Sequence, residues 1–107
     1  MSKINQVIIY LDVSDINETA RFYETIFGFQ KQVINDEIIR LEKANCALMI
    51  SKVDEPIITT FGLSINNIPS LIENIEAVDI EHNYDSAKST WEIKDYSGNT
   101  IVLVNNN

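Results

Sequence analysis

One pattern in this 107-residue chain constrains its fold more than any other, because it occurs twice. Leu11-Asp12-Val13-Ser14-Asp15-Ile16 leads into a stretch of helical spacing, and Leu63-Ser64-Ile65-Asn66-Asn67-Ile68 does the same 52 positions later. Two copies of a strand-then-helix opening predict two copies of one small module. A duplicated module can enclose a cleft between its copies, and small ligands usually bind in such clefts.

The first copy begins with Val7, Ile9, Leu11 and Val13 alternating with Ile8, Tyr10 and Asp12, the period of two of a strand. Asp15 has the chemistry of a helix N-cap, with Glu18 placed to complete a capping box. Ile16, Ala20, Tyr23 and Phe27 then mark one face of a helix, and Gly28 suits the position just past its end. Three strands are expected next, at 29–34, 37–42 and 46–52, with turns at Asn35-Asp36 and Ala44-Asn45.

Asp54-Glu55-Pro56 breaks the pattern as a linker does. The second copy starts near Ile58, with Phe61, Leu63 and Ile65 on the apolar side of its first strand. Asn66 or Asn67 caps the next helix, Pro69 fits its first turn, and Ile68, Leu71, Ile72 and Ile75 form its buried stripe. Strands at 79–84, 90–94 and 100–104 follow, the last after a Ser97-Gly98-Asn99 turn, and Asn105-Asn106-Asn107 should fray. The chain thus reads as one α+β domain of two tandem β-α-β-β-β modules, about 4–53 and 57–105.

Alternation divides the strand residues between two faces. Ile9, Leu11, Val13, Leu48, Ile50, Phe61, Leu63, Ile65, Ile101 and Leu103 should pack under the helices. Ile8, Tyr10, Asp12, Ala47, Met49, Ser51, Thr60, Gly62, Ser64 and Val102 should lie opposite. That mixture of apolar, small and hydroxyl groups suits the wall of a ligand cleft or a packed seam between subunits.

Net charge is −8. A phosphate backbone would be repelled by such a surface, which argues against nucleic acid and favours a cationic or neutral ligand, although the charge could equally serve solubility alone. No apolar run approaches the roughly 20 residues that span a bilayer, and the polar start lacks the order of a signal peptide, so a cytoplasmic protein with no membrane role is expected. Cys46 is the single cysteine. It can form no intrachain disulfide and reads as a small buried side chain on a strand.

The stretch from Leu11-Asp12-Val13-Ser14-Asp15-Ile16 through Arg21-Phe22-Tyr23-Glu24-Thr25-Ile26-Phe27-Gly28-Phe29 resembles the opening signature of the vicinal oxygen chelate superfamily. That superfamily includes glyoxalase I, extradiol dioxygenases, fosfomycin-resistance enzymes and bleomycin-resistance proteins. The stretch from Trp91 to Leu103 resembles its closing Asp-Pro-Asp-Gly-Asn signature and final strand, with Tyr96 and Ser97 in place of the usual Pro and Asp.

The resemblance implies paired modules whose curved mixed sheets form a cup with helices on the outer face, and a homodimer. It also implies, for the enzymes, one divalent metal held in the cup by His and Glu side chains. Carried onto this sequence, those four positions fall at Ile8, Met49, Thr60 and Val102. None offers the imidazole or carboxylate that such metals require, so neither a metal nor another cofactor is expected. A slip of one residue would turn each position to the helix-packed face, and slips of two would bring in only Asp12 and Gln6.

Other candidates are few. His82, the only histidine, has Glu81 and Asp85 nearby in sequence but no partner from other strands, and reads as an edge-strand residue. Glu92, between the core-like Trp91 and Ile93, should share the cleft side, where it could meet a cationic group or act as a base, or be merely solvated. Tyr10 beside Asp12 could hold a flat cation or pack a dimer interface. No phosphate loop, nucleophile elbow or triad is present.

The expected function is metal-independent binding of a small molecule, cationic or aromatic, by Tyr10, Asp12, Met49, Thr60, Glu92 and Val102, as the resemblance to the bleomycin-resistance branch implies. The alternatives are a metal-dependent lyase, isomerase or dioxygenase with displaced ligands, and a structural or regulatory dimer whose cup its own side chains fill.

Overall fold

A computed structural model of the chain describes residues 3–105. The elements run β1 (Val7–Val13), α1 (Ile16–Phe27), β2 (Gln30–Asn35), β3 (Ile38–Lys43), β4 (Cys46–Lys52), β5 (Thr60–Ile65), α2 (Ile68–Ala77), β6 (His82–Asp85), β7 (Thr90–Lys94) and β8 (Thr100–Asn105). The chain divides into two compact units, Met1–Ile57 and Ile58–Asn107. Each unit holds one four-stranded mixed sheet, ordered β1-β4-β3-β2 in the first and β5-β8-β7-β6 in the second. The first strand of each sheet runs parallel to its neighbour and the other pairs are antiparallel. The fold is α+β, and both units repeat the expected β-α-β-β-β order. Among the described residues, no helix is long and apolar enough to cross a membrane.

Helix α1 starts where its cap chemistry places it. Asp15 accepts a hydrogen bond from the Glu18 backbone N–H at 3.0 Å. The Glu18 carboxylate turns to Arg21 at 2.9 Å rather than back to the cap, so half of the expected capping box forms. At the other end Gly28 takes φ 74°, and Lys43 Nζ donates to the Phe27 carbonyl at 2.6 Å. The left-handed conformation suits glycine, and an added Cβ would also come within 3.0 Å of that Lys43 nitrogen. Replacing the cap, Asp15→Ala, is expected to cost about 1 kcal/mol in urea unfolding, with Asp15→Asn nearly neutral.

Helix α1 buries Ile16, Thr19, Ala20, Phe22 and Tyr23, while Phe27 of the expected stripe stays partly exposed. Helix α2 is capped by Asn67, one of the two candidates, whose side chain accepts from the Ser70 N–H at 3.3 Å. It buries Ile68, Ile72 and Ile75, leaving Leu71 half-exposed.

Several expectations need correction. The strand expected from 79 begins only at His82, because the chain is still closing α2: Asp79 takes φ 57° and the Ile80 N–H bonds back to the Ile75 carbonyl at 3.3 Å. This is the closing pattern of a helix, with aspartate in the place glycine usually takes. β2 and β3 each lie one residue later than expected, since the Asn35 side chain accepts from the Glu37 N–H at 2.8 Å and draws the turn onto Asp36 and Glu37. Asn105, expected to fray, pairs with Ile65 at the end of β8. Asn106 and Asn107 lie outside the described residues.

Cys46 is half-buried rather than buried, and burial pushes its thiol pKa up. Trp91 is likewise half-buried, its ring 5.2 Å from Tyr84 and 5.9 Å from His82.

Candidate functional site

In the first sheet the buried face carries Leu11, Val13, Ile39, Leu41, Leu48 and Ile50, each at most 2% exposed. Ile9, expected with them, is half-buried. Register fixes what lies opposite. Tyr10 pairs with Met49, Met49 with Arg40, and Arg40 with Gln32, so these four form one row across the sheet. The flanking rows carry Asp12, Ser51 and Ile38 on one side, and Ile8, Ala47 and Glu42 on the other. This open face leaves Tyr10 66% and Ile8 41% exposed. Three of the sequence-derived candidates, Tyr10, Asp12 and Met49, are therefore neighbours on it.

The second sheet repeats the arrangement. Ile93, Ile101 and Leu103 are buried, with Phe61, Leu63 and Ile65 half-buried on the same side. Gly62, Val102, Glu92 and Asn83 form a row on the opposite face, and Thr60 pairs with Thr100 beside it. Thr60, Glu92 and Val102 thus share the open face of this sheet, Thr60 exposed and the other two partly so. A hollow of about 40 Å³ lies among Glu81, His82, Asn83, Glu92, Lys94 and Thr100. That is room for a few waters, far below the several hundred Å³ of an organic ligand site.

His82 is on the edge strand β6. Its Nδ1 lies 2.8 Å from the Ile80 carbonyl oxygen and its Nε2 lies 3.7 Å from Glu76 Oε1 on α2. Those contacts anchor the ring locally, and what β7 brings to it is the Trp91 ring rather than an ionisable group.

The donor set of a divalent metal was tested against the four positions that the resemblance implies. Ile8 and Met49 fall on the open face of the first sheet, Thr60 and Val102 on that of the second. Two hydrocarbon side chains, a thioether and a hydroxyl do not fit such an ion. Among the described residues no three His, Cys, Asp or Glu side chains group where they could hold one.

Sequence reasoning missed Arg40. Its side chain is 22% exposed. The guanidinium Nε and Nη2 donate to Glu42 Oε2 at 3.3 and 3.1 Å, and Nη2 also donates to Gln6 Oε1. Hydrogen bonds from Gln6 and then from Arg40 hold the Glu42 carboxyl below the usual carboxylate range. Gln6 precedes β1 and Arg40 sits on β3, so their bond crosses β4 over Ala47, which is fully buried. The signal was available in the sequence: Ile39 and Leu41 alternate inward, which turns Arg40 and Glu42 to the open face.

Known structures share the fold so defined. A possible glyoxalase from Bacillus cereus superposes with a TM-score of 0.79 at 15% identity, over 95% of this chain and 99% of that one. A bleomycin-binding protein from bleomycin-producing Streptomyces verticillus, complexed with copper(II)-bleomycin, gives 0.77 at 16% identity over the whole of both chains. The fosfomycin resistance protein FosX from Listeria monocytogenes gives 0.79 at 17% identity, over 92% of this chain and 87% of that one. No family model matches the sequence. No curated protein matches it either.

Proposed function

We propose that this chain is a metal-independent binding protein that sequesters a small aromatic or cationic compound without transforming it. The observation that carries the reading is the exchange of chemistry at the open faces. The positions that would hold a metal carry Ile8, Met49, Thr60 and Val102, while in the first sheet an aromatic ring, Tyr10, stands 66% exposed beside Ile8 and Met49. Such a surface offers stacking and dispersion but no Lewis acid. The likeness in fold to a bleomycin-binding protein supports the reading, and the net charge of −8 agrees with a cationic group on the ligand. The reading includes a homodimer working in the cytoplasm, with Tyr10, Asp12, Met49, Thr60, Glu92 and Val102 at the ligand.

The test begins with metal analysis of protein purified without chelators. Zinc, nickel, iron and manganese are expected well below one ion per chain, and a stoichiometric metal overturns the proposal. A thermal-shift screen of aromatic and cationic compounds completes it. A ligand at about 100 times its Kd should raise Tm by on the order of 10 °C. A screen in which no compound raises Tm favours the alternative of a structural dimer.

A further inference from the structure

We infer that Arg40 makes the open face of the first sheet selective for a flat aromatic compound bearing a carboxylate, which lies along the Tyr10-Met49-Arg40 row. The inference rests on the binding function proposed above and narrows its ligand to the aromatic alternative, with an acid rather than a cation on this face.

Three observations meet at Arg40. It is the only cation that the strand register places on this face among the described residues, since Lys31, Lys43 and Lys52 fall at positions paired with Leu41, Cys46 and Val13 on the opposite side. Its guanidinium is held by Glu42 and Gln6 through Nε and Nη2, while Nη1 makes no hydrogen bond to any described residue. An arginine fixed by two partners with one nitrogen free is a preorganised donor, and little further entropy is lost when a carboxylate accepts from it.

The third observation is spacing. Tyr10 and Arg40 are in register two strands apart across Met49. At the usual strand separation their backbones are about 10 Å apart, and the Arg40 side chain leans back across β4 to Gln6, so a two-ring aromatic acid is long enough to meet both side chains. One end of such a molecule would lie against the Tyr10 ring and the Met49 thioether, both good partners for an aromatic surface, and its carboxylate would meet Nη1.

Glu42 offsets part of the Arg40 charge, so what the face offers an acid is the directed N–H donors of Nη1 more than net charge. Asp12 is on β1 in the neighbouring row, about 10 Å from β3, a distance that salt screens. The chain as a whole repels anions, so binding of an aromatic acid should depend strongly on Arg40.

Met49 supplies a local probe, as one of only two methionines. The experiment titrates protein labelled with ¹³C at the methionine methyls with 2-naphthoate and, separately, with 2-naphthylmethylammonium, which carries the same rings and the opposite charge. The Met49 methyl, assigned with Met49→Leu, should shift saturably with naphthoate and respond more weakly to the ammonium. Arg40→Gln should weaken naphthoate about tenfold or more while leaving the ammonium unchanged or tighter, and Arg40→Lys should recover part of the loss.

If Arg40→Gln or Arg40→Lys weakens both probes equally, or neither, Arg40 is structural and the inference falls, while binding by the face stands. Preference of the unaltered protein for the ammonium also overturns it. If neither probe moves the Met49 methyl, the binding function of this face fails with it.

Discussion

Tyr23→Ala is expected to destabilise the protein by about 4 kcal/mol, lowering Tm by on the order of 15 °C. Tyr23 is fully buried, and its ring meets three others: Phe22 edge-on at 5.0 Å, Phe29 edge-on at 6.0 Å and Phe27 stacked at 6.2 Å. Truncation removes all three contacts and leaves a cavity that α1 and the chain just beyond it cannot fill by small shifts, because Gly28 and Lys43 fix the helix end. A domain of this size is stable by only about 5–15 kcal/mol in total, so the loss is a large fraction of the whole. Tyr23→Phe keeps the ring, loses only the hydroxyl, and should cost no more than about 1.5 kcal/mol. Urea unfolding of both variants checks the pair, and similar losses in the two would show that the rings contribute little.

Tyr23 also shows why so much of the fold was legible. Periodicity alone places it inside, as it places Leu11, Val13, Leu48, Ile50, Ile101 and Leu103, because burial of one face sets the register of each element. The repeat made the second unit readable from the first, and Asp15, Gly28 and Pro69 marked helix ends through their own chemistry. What was misplaced depended on non-local or exceptional backbone behaviour. Asp79 closes α2 in a left-handed conformation that its side chain does not announce, so β6 starts three residues later than alternation predicts. Asn35 moved a turn by one position through a single side-chain bond.

The candidate face, with Arg40 on it, is legible by the same alternation, but the contact that fixes Arg40 is not. Arg40 acquires meaning from Gln6, 34 positions away. Spacing within one strand cannot reveal that contact. Register relates the two units further: Arg40 pairs with Met49 as Glu92 pairs with Val102, so equivalent places in the repeat carry opposite charges. The repeated scaffold thus carries different chemistry at equivalent places of its two open faces. Glu92 was found from sequence because Trp91 and Ile93 flank it, and the same argument applied to Ile39 and Leu41 recovers Arg40.

Asn99→Ala is expected to cost about 3 kcal/mol and to loosen the open face of the second sheet with it. Asn99 is 1% exposed, and its side chain joins two segments that sequence separates: Nδ2 donates to Asp95 Oδ2 at 2.9 Å, and Oδ1 accepts from the Thr59 N–H at 2.8 Å. The Asp95 carboxylate in turn accepts from the Ser97 and Asn99 N–H groups, both at 2.9 Å, within a turn where Gly98 takes φ 88°. Truncation to alanine takes away the acceptor of a partly buried N–H and the amide that faces a buried carboxylate, and no side-chain atom remains to replace either. Thr59 immediately precedes β5, and its carbonyl accepts from the Thr100 N–H at 2.9 Å, so the lost bond lies where β5 meets β8. The variant should therefore show faster amide exchange at Thr59, Thr60 and Thr100 than in the first sheet, besides a lower midpoint in urea. Uniform acceleration across both sheets would mean that Asn99 acts on global stability alone, and wild-type exchange at these three amides would show that the turn does not hold β5 in place.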